Sequence, residues 1–164
     1  MSVPLLVADS GPLIALARLD LLALPGRYFT SVVVTTSVWE EVTRSPRADE
    51  LERLTAALSG GWFTLADDPL TVPDQILQTG LDAGERNSIA LSLAMSSAVL
   101  IDEKRGRRVA TALGLPVIGT VGLLLRAREE GAIPSLRGVL GQLRDSGYFL
   151  SDALIADLLA RLGE

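Results

Sequence analysis

Residues 5–18 read Leu-Leu-Val-Ala-Asp-Ser-Gly-Pro-Leu-Ile-Ala-Leu-Ala-Arg. A short apolar run stops at Asp9-Ser10-Gly11-Pro12, and Leu13, Leu16 and Ala17 then recur at helical spacing, so the stretch reads as strand, turn, helix. The same phrase returns along the chain. Val32-Val33-Val34 leads into Thr35-Thr36-Ser37, N-cap candidates for a helix carrying Val38, Glu41 and Val42. After Ser45-Pro46 a helix is expected from Ala48 to Leu58, broken by Gly60-Gly61 before a short strand in 62–65. Residues 66–79, with Pro69 and Pro73, are the least regular part. Ile89, Ala90, Leu93 and Ala94 form one helical stripe, and Val99-Leu100-Ile101 follows as an apolar strand ending at Asp102. A helix from Arg107 to Leu113, a strand at Val117-Ile118 and a helix from about Val121 to Glu130 continue the alternation. Short, bare apolar strands separated by helices predict an α/β fold, a parallel sheet covered by helices on both faces.

The chain has 164 residues, 48% of them hydrophobic, enough for one substantial core, so a single domain spanning 1–164 is expected. Histidine and cysteine are absent and Lys104 is the only lysine. That excludes imidazole acid–base chemistry, thiol catalysis, Cys/His zinc sites and disulfides, and leaves mainly carboxylates. A net charge of −5 argues against general coating of polyanions but leaves room for a local basic rim, and 4% aromatics argues against a base-stacking platform. No stretch reaches the roughly 18 apolar residues of a membrane span, and the opening MSVPLLVADSGPL lacks the features of a leader, so a cytoplasmic protein without a membrane partner is expected.

Four acids stand where chemistry would be expected. Asp9 and Asp102 follow apolar strands and so emerge at the carboxyl edge of a parallel sheet, the edge where open α/β folds place their sites. An aspartate after a strand more often caps a helix or closes a turn. Glu41, three residues after Val38 and about 60° around the helix from it, shares Val38's inward face, whereas Glu40 points away. Glu85 leads Ile89 and Leu93 at successive intervals of four; helix-dipole complementation in the first turn explains one such acid, but not four that converge. Carboxylates crowded together repel, and a divalent cation relieves the repulsion. Oxygen-only ligation suits Mg²⁺ or Mn²⁺, and such a centre suits attack of water on a phosphodiester.

The words ADSGPLIAL (8–16), VWEEV (38–42), LDAGERNSIALSLA (81–94), LIDEKRGRRVA (100–110) and GLPVIGTVGLLLRAREEGAIPSL (114–136) resemble the PIN-domain proteins of the DUF3368 group, related to the VapC ribonuclease toxins. The resemblance implies a PIN-like three-layer sandwich and a Mg²⁺- or Mn²⁺-dependent endoribonuclease of a toxin–antitoxin pair, with RNA as substrate and a small antitoxin as partner. It makes Asp9 the first-strand acid, Glu41 the helix acid, Glu85 the acid of the central helix and Asp102 the acid after the later strand. Ser10 matches the small polar residue beside the first acid, and Glu103 is an auxiliary acid. Asn87 is neutral near where relatives would carry a further acid. A PIN-like scaffold that binds RNA or protein without cutting is the alternative. Phosphoacceptor receivers fit less well because Asp9 has no acidic neighbour, and Rossmann or P-loop nucleotide binding lacks its glycine spacing.

Two expectations concern surfaces. Lys104, Arg105, Arg107 and Arg108 lie at a helix start, where cations oppose the dipole, so they are expected to guide RNA phosphates past Asp102. Leu140, Leu143, Leu154, Leu158 and Leu159 form stripes that serve either core packing or a partner, whether an antitoxin helix or a second copy in a homodimer.

Overall fold

The computed structural model describes residues 5–164. Residues 1–4, which open the stretch read as lacking a leader, lie outside the described residues. The strands β1 (Leu5–Ala8), β2 (Ser31–Thr35), β3 (Thr64–Ala66), β4 (Ala98–Leu100) and β5 (Val117–Ile118) form one sheet in the order β3-β2-β1-β4-β5. Every neighbouring pair is parallel, with Val7 opposite Val33 on one side and Val99 on the other. The chain builds outward from β1 through β2 to β3, then returns to the other side of β1 for β4 and β5. The strand order therefore reverses between β1 and β4, and the carboxyl edge there is the place where such sheets open a crevice.

Alternation along the strands separates two cores. Leu6 and Ala8, Val32 and Val34, and Ala98 and Leu100 turn to the larger one, which also holds Leu13 and Leu16 of α1 (Ser10–Arg18), Val38 and Val42 of α2 (Thr36–Arg44) and Leu54 of α3 (Ala48–Ser59). Val99 and Ile101 turn to the opposite face, against Ile76 of α4 (Asp74–Leu77), Ile89 and Ala90 of α5 (Ala83–Met95) and Ala110 of α6 (Lys104–Ala112). Both faces of the sheet are thus covered, as its bare apolar strands require. Leu6, Leu16, Leu54, Ile89 and Leu100 are fully buried, and truncating any of them to alanine costs about 2–5 kcal/mol.

The structure adds a 3-10 turn at Leu24–Arg27 and the short α4, neither of which has a periodic signal long enough to read. α7 (Thr120–Glu129), α8 (Leu136–Asp145) and α9 (Asp152–Leu162) complete the larger core. The leucine stripes near the end of the chain are mostly spent there. Leu140, Leu143, Leu158 and Leu159 are buried in the larger core, and only Leu154, 41% exposed, remains outside, so the stripes mainly close this molecule on itself. Among the described residues no helix is long and apolar enough to cross a membrane.

Candidate functional site

Asp9 occupies the N-cap position of α1, with extended backbone, and its N–H continues the sheet by donating to Leu100 O at 2.9 Å. An aspartate there would ordinarily cap the helix with its side chain. Thr35, Asp82, Glu103, Ser135 and Ser151 all do so at the starts of their helices. Asp9 makes no such bond, although it is only 3% exposed, and its Oδ1 is buried without a hydrogen-bond partner. Burial pushes its carboxyl up to about 7; the Ser10 N–H acts in the opposite direction, and the charges of Glu85, Asp82 and Glu41 push further upward. A buried carboxylate oxygen without a partner is costly, so capping is not what holds Asp9 here. Ser10, also buried, begins α1 and contributes that N–H.

The acids facing Asp9 come from α2 and α5. Glu85, in the first turn of α5, is half-buried, and its carboxyl is raised to about 6 by burial and then by Asp82, Glu103 and Glu41. Glu41 is exposed rather than sunk into the inward face of α2, but its carboxylate leans onto α5: Oε2 lies 2.8 Å from where a Cβ on Gly84 would stand. Only glycine leaves it that room. Asp82, not among the acids singled out in the sequence, caps α5 by accepting the Glu85 N–H at 2.9 Å. Its signal was available as the Asp-x-x-Glu spacing of a capping box over residues 82–85. Glu41, Asp82 and Gly84 line a cleft of about 330 Å³ together with Ser37, Glu40, Ala83 and Arg44. A larger cavity, about 480 Å³, opens at the opposite edge of the sheet, where β2 and β3 begin, between Arg27 and Trp62. It holds no carboxylate, so the acid-lined cleft is the better candidate for chemistry.

Asp102 stands at the same carboxyl edge with its oxygens engaged. Thr120 donates to it twice, through its N–H to Oδ1 at 2.7 Å and through its hydroxyl to Oδ2 at 2.6 Å, and the Tyr148 hydroxyl also donates to Oδ2. Because Thr120 begins α7, Asp102 supplies a remote cap for that helix. Burial, and then the Asp102 carboxylate, drive the Tyr148 phenol well above its ordinary value, so it remains a donor. Glu103 accepts the Gly106 N–H at 2.8 Å, which holds its carboxyl below the usual range, and so occupies the start of α6 that a phosphate would otherwise use. Among the four basic residues of this run, Arg107 is turned inward, donating to Ile101 O at 2.9 Å and lying over Gly119. Arg105 reaches over Gly80, while Lys104 and Arg108 are exposed. Asn87 is buried and donates to Ser37 Oγ at 3.2 Å, and Ser37 in turn donates to Asp68 through its N–H and its hydroxyl. The neutral residue on α5 therefore ties α5 to α2.

Residues 5–164 match the family model DUF3368, described as a PIN domain. The chain belongs to this PIN-domain family. PIN domains have a nuclease-type fold, are in general nucleases and typically bind divalent metals. The DUF3368 chain is also similar in fold to PAE2754 from Pyrobaculum aerophilum, with a TM-score of 0.50 and 17% identity over 76% of this chain and 89% of that one. No curated protein matches the sequence.

The acids suit the cation that such a fold implies. Among the described residues no three of them are grouped as a ready metal cage. Magnesium, however, keeps several of its waters and needs only one or two carboxylates. The unpartnered Oδ1 of Asp9, the space over Gly84 into which Glu41 leans, and an all-oxygen donor set fit a hard divalent ion of that kind.

Proposed function

We propose that this PIN-domain protein is a Mg²⁺- or Mn²⁺-dependent endoribonuclease of a toxin–antitoxin pair, acting on RNA in the cytoplasm and held by a small antitoxin protein. The observation that carries the reading is Asp9, a buried carboxylate at the carboxyl edge where the strand order reverses between β1 and β4, which neither caps its helix nor finds a partner for Oδ1. Asp9, Glu41 and Glu85 would hold the ion, with Asp102 at the rim. When bound, a divalent ion supplies Lewis acidity toward a phosphoryl oxygen and neutralises the crowded carboxylates.

The chain's own groups do the rest. Asp9, drawn toward protonation near neutral pH by its burial, gives up its proton when its oxygens are taken by a cation. Glu85, raised to about 6 in the cation-free fold, likewise gives up its proton when it holds the ion. Lys104, Arg105 and Arg108 supply positive charge near Asp102 for the RNA backbone, and Arg44 supplies it at the cleft. Arg107, bonded to Ile101 O, braces this edge of the sheet.

One observation favours a second reading. The oxygens of Asp102 are satisfied by Thr120 and Tyr148, as suits a scaffold that binds RNA or protein without cutting. Incubating a mixed RNA pool with the protein, with and without Mn²⁺ or Mg²⁺, separates the two. The nuclease reading expects ion-dependent cleavage that Asp9→Asn abolishes. Binding without cleavage under every ion condition gives the scaffold reading.

A further inference from the structure

The acids that press on Asp9 include one that neither strand ends nor helical stripes point to. Asp82 accepts the Glu85 N–H and so begins α5, but capping does not require its charge, because asparagine and serine cap as well as aspartate. Its position sets that charge against Glu41. Glu41 Oε2 and Asp82 Oδ1 lie 2.8 Å and 3.6 Å from the same point, the place a Cβ on Gly84 would occupy, so both acids border one small space. Both also line the cleft of about 330 Å³. Among the ion pairs of the described residues, none involves Asp9, Glu41, Asp82 or Glu85. The independent pointer to a ligand is Asp9, 3% exposed, whose Oδ1 has no partner and which feels Asp82 as well as Glu41 and Glu85. The carboxylates of Glu41 and Asp82, which border the space over Gly84 with no ion-pair partner of their own among the described residues, make a pair whose charge one divalent cation balances.

We propose that Asp82 is a further cation-holding residue of this site, taking Mn²⁺ or Mg²⁺ jointly with Glu41 in the space over Gly84. The inference rests on the reading of the acid cluster as a divalent-cation centre and adds a residue to it that the family resemblance does not assign. Gly84 then has a reason beyond helix packing, since it leaves open the volume that the ion takes. Arg44, on the wall of the same cleft, marks where a phosphate approaching that ion would be met.

The test is a calorimetric titration of the cation-free full chain with Mn²⁺, for wild type, Asp82→Asn, Asp9→Asn and Glu40→Gln, together with the melting temperature of each cation-free protein. Asp82→Asn keeps the cap and removes the charge, so its melting temperature is expected to equal or exceed that of wild type while Mn²⁺ affinity falls roughly tenfold or more. Glu40 lines the same cleft but is not among the leading charges acting on Asp9 or Glu85, and Glu40→Gln is expected to change affinity less than about twofold. If Asp82→Asn and Glu40→Gln weaken binding equally, Asp82 acts only through general charge and the proposal falls. If wild type binds Mn²⁺, Asp9→Asn loses it and Asp82→Asn binds as wild type does, the proposal falls and the cation centre stands. A wild type that binds no Mn²⁺ overturns both.

Discussion

Thr120 holds Asp102 with two bonds from one residue, its N–H to Oδ1 at 2.7 Å and its hydroxyl to Oδ2 at 2.6 Å. Because that N–H is the first of α7, the arrangement fixes the helix to the carboxyl edge of β4 and fixes the direction of the carboxylate at once. Tyr148, from the connection between α8 and α9, closes on Oδ2 from another side. Asp102 is thus a structural anchor at the carboxyl edge of the sheet.

Mutation of these contacts separates that anchoring from the role proposed for Asp102 at the rim of the site. Thr120→Val keeps the shape and the backbone donor but loses the hydroxyl bond to a charged acceptor, and is expected to destabilise by about 1.5–3 kcal/mol in urea unfolding. Tyr148→Phe removes the donor that competes for Oδ2 and keeps the ring. It is expected to lower stability by a similar amount while tightening Mn²⁺ binding, if Asp102 lends that oxygen to the ion. A Phe variant that loses both stability and Mn²⁺ affinity would show that the phenol positions Asp102 for the ion.

Asp9 makes stability depend on pH in a definite direction. Its carboxyl is raised from 3.8 to about 7, so the folded state holds the proton more tightly than the unfolded chain. This contribution is fully present below about pH 4 and is lost as pH rises through about 7. For the cation-free protein the loss is on the order of 4 kcal/mol at 1.36 kcal/mol per unit. Asp9→Asn escapes it, so its stability relative to wild type is expected to rise between pH 5 and pH 8 and to reverse in excess Mn²⁺, which only wild type binds tightly. Urea unfolding at the two pH values reads the difference directly, and a pH-independent difference would remove Asp9 as its source.

Gly84→Ala probes the space over α5 from the other side. The added methyl would stand 2.8 Å from Glu41 Oε2, the mobile end of a long side chain, and 3.5 Å from Val38 Cγ2, an ordinary contact. Glu41 can swing aside, and alanine in a first helical turn gains up to about 1 kcal/mol over glycine. The expected result is a variant as stable as wild type or more so, with weakened Mn²⁺ binding and cleavage. Unchanged binding would show that Glu41's place over Gly84 has no functional use.

Much of this was legible in the sequence, for local reasons. The run from Leu5 to Arg18 announces its strand, turn and helix because burial on both faces strips β1 of polar residues, and the same logic finds β2, β4 and β5. Asp9 and Asp102 follow from strand direction alone. Glu85 follows from the helical stripe, and Glu41 was placed on the right side of α2, though it is exposed. What was hidden depends on distance along the chain. Tyr148 meets Asp102 across 46 residues, and no local pattern pairs a tyrosine in a helix connection with an acid after a strand. Arg107 reads as one of four equivalent cations until Ile101 O and Gly119 are seen to hold it. The C-terminal leucines read equally as core or as a surface for a partner, because the depth of the larger core is set by α7, α8 and α9 together, which no single stripe reveals.

The central claim is that Asp9 is a cation ligand, and the most direct measurement is the anomalous scattering of Mn²⁺ in crystals of the wild-type protein grown or soaked with the ion. The account predicts a peak about 2 Å from Asp9 Oδ1, the oxygen without a partner in the cation-free fold, and its absence in Asp9→Asn. Fully occupied Mn²⁺ elsewhere on the molecule, with Asp9 Oδ1 still unpartnered, would contradict it.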